Sequence, residues 1–64
     1  MTWQELEECA EELGASVSYG GWIEFGKITF WNDGALEVYF EDDVMVIAKD
    51  RTPEQMYQII EALK

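Results

Sequence analysis

Histidine is missing from this sequence, cysteine and proline occur once each, and lysine and arginine together only four times. Each shortage removes a class of function. Without histidine, the usual near-neutral general base is unavailable. The lone Cys9 permits no disulfide within the chain, which predicts a reducing, cytoplasmic setting rather than secretion. Four basic residues against fourteen Asp and Glu leave a net charge of −10. That charge argues against direct binding of nucleic-acid phosphates and of anionic membranes. No apolar run approaches the ~20 residues needed to span a bilayer, and no charged-then-apolar segment opens the chain as a signal peptide would.

What remains is the composition of a small folded protein. Hydrophobic residues make up 48% and aromatics 14% of the 64 residues, well above the content of disordered acidic tails. The length fits a single domain, residues 1–64, that buries only about 60% of its unfolded surface.

Thr2 with Glu5 reads as a capping box, and Trp3, Leu6, Cys9, Ala10 and Leu13 recur as one helical stripe before Gly14. The spacing predicts a helix over about residues 2–13. Thr52, Pro53 and Gln55 open a second helix, whose stripe is Met56, Ile59, Ile60 and Leu63. Between the helices the period falls to two, with turns at Tyr19-Gly20-Gly21, Asn32-Asp33-Gly34 and Glu41-Asp42-Asp43. The expected fold is two-layer α+β: an N-terminal helix, an antiparallel meander of three to four strands, and a C-terminal helix, with both helices on one sheet face.

Parity sharpens the register. A three-residue loop at Asn32-Asp33-Gly34 pairs Phe30 with Leu36 and Ile28 with Val38, and one at Tyr19-Gly20-Gly21 pairs Val17 with Ile23. Phe25 and Ile28 should both face inward yet lie three apart, which predicts a bulge or break at Gly26-Lys27. The inner face then carries Val17, Ile23, Phe25, Ile28, Phe30, Leu36, Val38 and Phe40. The outer face carries Trp22, Glu24, Lys27, Thr29, Trp31, Glu37 and Tyr39, joined by Val44 and Val46 or by Met45 and Ile47. Trp22, Trp31 and Tyr39 among charges form a candidate contact surface. The same rings also have a plainer role as cross-strand pairs that stabilise a thin sheet.

Ten of the fourteen acids fall within residues 5–12 and 33–43, and all four bases lie outside both stretches. Glu5, Glu7, Glu8, Glu11 and Glu12 spread over the arc of the first helix opposite its apolar stripe. Glu7 with Glu11 and Glu8 with Glu12 are like-charge neighbours one turn apart. This is either a solvated helix face or an anionic ridge for a basic partner. The acids of the Glu41-Asp42-Asp43 turn lack the loop length and interleaved glycine of a dedicated calcium site, so no metal is expected.

Catalytic chemistry is thinly supplied. Cys9 lies on an apolar stripe among glutamates, which raise a thiol's pKa. Gly20-Gly21 is followed by neither lysine nor helix, so it is no phosphate loop. A non-enzymatic protein without cofactor is expected.

In size, charge and helix–meander–helix layout, the chain resembles some phage-encoded anti-CRISPR proteins. The ending Asp50-Arg51-Thr52-Pro53-Glu54-Gln55-Met56, continuing through Ile59 and Ile60 to Ala62-Leu63, is similar to short phage and prophage proteins of gut bacteria. The likeness is one of style over most of the chain, and no functional residue carries over from it. It implies an inhibitor that imitates nucleic-acid charge and blocks a basic nucleic-acid enzyme; the charge pattern itself, not the resemblance, makes Glu5, Glu8, Glu12, Asp42 and Asp43 the candidate recognition residues. The alternative is a structural module that forms a homodimer through Trp22, Trp31 and Tyr39.

Overall fold

The computed structural model describes residues 1–64. The first helix, α1, spans Trp3–Glu12, and its start is a complete capping box. Thr2 Oγ1 accepts from Glu5 N at 3.2 Å, and Thr2 N donates to Glu5 Oε1 at 2.9 Å. Five strands follow: β1 (Ser16–Ser18), β2 (Trp22–Phe25), β3 (Ile28–Trp31), β4 (Leu36–Phe40) and β5 (Asp43–Ala48). They form one antiparallel sheet in chain order. The last helix, α2, spans Pro53–Leu63 and repeats the capping box with Thr52 and Gln55. No helix is long and apolar enough to cross a membrane.

The meander has five strands rather than three to four. The difference lies at Gly26-Lys27, which is the expected break rather than a bulge. It is a two-residue hairpin that closes the pair Phe25–Ile28. Gly26 has φ +62°, the positive value that such a loop needs at its first position and that glycine adopts without a Cβ clash. A reversal there keeps Phe25 and Ile28 on one face as a bulge would. The sheet's irregularity lies instead in β5. Leu36 pairs with Ala48 but Glu37 with Val46, so Ile47 is the extra residue. Before the bulge, Val44 and Val46 stand opposite Tyr39 and Glu37 on the outer face, and Met45 stands opposite Val38 on the inner one.

Both three-residue loops have the expected register: Val17–Ile23, Phe30–Leu36 and Ile28–Val38 are paired. The core lies between the inner sheet face and both helices. It consists of Leu6, Ala10, Ile23, Phe30, Leu36, Met56 and Ile60. Gly34 is packed against the approach to α2: a Cβ there would lie 3.0 Å from Arg51 N and from Asp50 Cα. The helices do not cover the whole sheet. Phe40, expected inside, is 50% exposed, and so are about half of Val44, Met45, Val46 and Ile47 on the edge strand β5. Leu63, placed on the buried stripe of α2 by its spacing, is 51% exposed at the helix end.

Candidate binding face

The outer face is laid out by strand register. Trp22 stands directly opposite Trp31, and Glu24 opposite Thr29. Thr29 stands opposite Glu37 on its other side. Glu24, Thr29 and Glu37 thus form one cross-strand row, with the two carboxylate-bearing positions about 10 Å apart across the intervening strand. The tryptophan pair lies on one side of this row. Tyr39, two residues beyond Glu37 on β4, lies on the other.

An open surface cavity of about 260 Å³ lies here, lined by Trp22, Glu24, Thr29, Trp31 and Tyr39. Trp31 is held in place by its indole, whose Nε1–H donates to Glu37 Oε1 at 2.6 Å. Thr29 is only 3% exposed although it faces away from the helices. Its Oγ1 is buried and has no hydrogen-bond partner. An unpaired buried hydroxyl is costly, by about 1–3 kcal/mol. Glu24 is exposed and takes part in neither of the chain's ion pairs, which are Met1 N–Glu54 and Lys64–Glu61. A second cavity of about 280 Å³, between Asp33, Ala35, Val46, Lys49 and Asp50, has no aromatic wall.

The acidic positions are not brought together in the same way. α1 packs on β1 and β2, whereas Asp42 and Asp43 sit at the β4–β5 turn near the opposite edge of the sheet. Glu5 is engaged in its capping box. Its carboxyl is held below the usual range, chiefly by the backbone hydrogen bond from Thr2 and then by the Thr2 side chain. Asp43 Oδ1 accepts from Val44 N at 3.0 Å. Glu8, Glu12 and Asp42 are exposed and join neither ion pair. No three acidic or cysteine side chains converge as metal ligands.

Two glutamates of the expected ridge have structural roles. Glu7 is buried, 4% exposed, and its Oε2 accepts from Trp3 Nε1 at 2.9 Å and from Gly20 N at 2.6 Å. It ties α1 to the β1–β2 loop. Glu11 accepts a hydrogen bond from the Tyr19 hydroxyl of that loop. This bond raises the Tyr19 pKa, because ionising the phenol would break it and set two anions side by side. The like-charge neighbours Glu7 and Glu11 are therefore each compensated by a donor from outside the helix. The pairing of Trp3 with Glu7 at i,i+4 is visible in the sequence, but the contribution of Gly20, thirteen residues away, is not.

Glu24, Thr29 and Glu37 were placed on the outer face by period two, and the structure adds their convergence with Trp22, Trp31 and Tyr39. Comparison of the chain with protein-family models, with curated proteins and with solved structures gave no match.

Proposed function

We propose that this chain is a small acidic, non-catalytic binding protein that docks on a basic protein surface, in the manner of an inhibitor that occupies a nucleic-acid-binding cleft. The observation that carries this reading is the set of exposed acids without basic partners in the chain, Glu8 and Glu12 on α1 and Asp42 at the β4–β5 turn. A net charge of −10 on 64 residues accelerates encounter with a cationic cleft, and the rate falls as salt screens it. The division of the charge into two areas fits contact along an extended basic surface rather than at a point. The test compares immobilised wild type with the variant Glu8→Gln, Glu12→Gln, Asp42→Asn, Asp43→Asn. Basic proteins retained from a bacterial lysate at low salt should be released by high salt or by added duplex DNA. The variant should retain none of them. Equal retention by the variant refutes the reading.

A second reading is a homodimer formed through the outer sheet face. It is favoured by the exposure of Tyr39, Val44 and Val46 beside the two tryptophans. Sedimentation analysis decides it: a wild-type dimer that Trp31→Ser converts to monomer supports this assembly, and a monomeric wild type at high concentration removes it.

A further inference from the structure

The cavity over Thr29 has the chemistry of a cation receptor. Its walls are the rings of Trp22, Trp31 and Tyr39, and its rim holds the carboxylate of Glu24. Aromatic faces attract a cation through their quadrupole, tryptophan most strongly, and the attraction grows as water is excluded. Glu24 is exposed and stands free of both ion pairs, so its charge is available to a cation.

The kind of cation follows from what the walls can offer. A primary ammonium carries three N–H donors and a tight hydration shell, and both must be replaced on binding. Here Glu37 already accepts from Trp31 Nε1, and three of the five lining residues are rings. A fully alkylated ammonium has no donors to satisfy and presents methyl groups to the rings. The floor adds a second requirement. The unpaired Thr29 Oγ1 is closed to solvent, so a hydroxyl or another polar group on the ligand meets it only where the surrounding rings move aside.

We propose that this cavity binds a small quaternary ammonium compound of the choline type. Its trimethylammonium group lies among Trp22, Trp31 and Tyr39 with Glu24 as counter-ion, and its hydroxyl pairs with Thr29. Lys27, in the β2–β3 hairpin, belongs to no ion pair. Binding here does not require a basic protein to dock at Glu8, Glu12, Asp42 and Asp43, and neutralising those four residues leaves the cavity intact.

The test is a choline titration of the full chain followed by proton–nitrogen correlation spectra, with ionic strength held constant by sodium chloride. The indole N–H signals of Trp22 and Trp31 shift and saturate, while that of Trp3 on α1 stays in place as an internal control. The uncharged carbon isostere of choline binds at least about tenfold more weakly. Glu24→Gln, an exposed residue with no bond to lose, weakens choline binding about threefold to tenfold. Thr29→Val lowers affinity for choline but not for tetramethylammonium. Equal shifts from choline and from sodium chloride overturn the proposal, since the site would then be no more than part of a general cation atmosphere. Equal affinity for the neutral isostere overturns it as well, since the rings would then be a hydrophobic surface only.

Discussion

Replacing Glu7 separates structural from surface acids most sharply. Its carboxylate accepts two hydrogen bonds, from Trp3 Nε1 and Gly20 N, while 4% exposed. Bonds to a charged acceptor contribute about 1.5–3 kcal/mol each, so Glu7→Ala forfeits at most ~3–6 kcal/mol. Two effects reduce that loss. Trp3 is half-buried and Gly20 exposed, so water recovers much of what both donors lose. The substitution also relieves the repulsion from Glu11 one turn on, by a few tenths of a kcal/mol. The net loss should be ~2 kcal/mol, or about 8–16 °C in Tm for a domain of this size. Glu7→Gln keeps an acceptor oxygen but makes neutral bonds of about half the strength, so it should cost ~1 kcal/mol. Glu8→Ala, with an exposed side chain and no ion pair, should stay within ~0.5 kcal/mol of wild type. Urea unfolding followed by circular dichroism gives the three midpoints. Equal midpoints for Glu7→Ala and Glu8→Ala would refute the claim that the Glu7 carboxylate bonds α1 to the sheet loop.

Three further outcomes are expected. Glu41 has φ +46° at the first position of the β4–β5 turn, so Glu41→Gly should stabilise the chain by ~1 kcal/mol in the same denaturation assay. Gly34→Ala combines φ +102° with a Cβ 3.0 Å from Arg51 N, whereas Gly14→Ala has φ +96° and no atom within 4 Å; the first should lower the thermal midpoint clearly more than the second. Hydrogen bonds to Glu11 and Glu61 raise the pKa values of Tyr19 and Tyr57 above 10.0. A raised folded-state value contributes stability that is complete below the unfolded pKa and disappears as pH climbs through the folded one. The Tyr57 hydrogen bond also lowers the Glu61 pKa below 4.5, so the stability difference between wild type and the double Tyr19→Phe, Tyr57→Phe variant should be constant between the carboxylate range and pH 10, shrink above pH 10, and shrink again as Glu61 protonates in acid, as read from denaturation at stepped pH.

Local signals carried much of the fold. Both capping boxes were legible because each needs only residues three apart, and both form. The loop lengths at Tyr19-Gly20-Gly21 and Asn32-Asp33-Gly34 fixed two registers through parity alone. Parity could not distinguish a bulge from a reversal at Gly26-Lys27, since both return Phe25 and Ile28 to one face. The β4–β5 turn was harder to read because Glu41 takes the left-handed position that glycine usually marks. In the candidate site, period two assigned Trp22, Trp31 and Tyr39 to one surface. It carried no sign that Thr29 between them would be buried, because that depends on how large rings on neighbouring strands lean over a small residue. A helical wheel puts Glu7 beside the apolar stripe and Glu8 opposite it, but it gives no sign of the loop that folds back onto α1 and bonds Glu7.

The bare edge of β5 gives the acidic residues a further meaning. Val44, Met45, Val46 and Ile47 form an exposed apolar run whose outer backbone groups face no neighbouring strand, the kind of template on which identical chains stack. Glu41, Asp42 and Asp43 stand at its start and Asp50 just beyond its end, in the positions of gatekeepers against such stacking. Mutual repulsion at −10 keeps two such edges apart at neutral pH, and it vanishes near the isoelectric point of about 4.1. Acidity near that pH therefore removes the main barrier to pairing of this edge with its own copies.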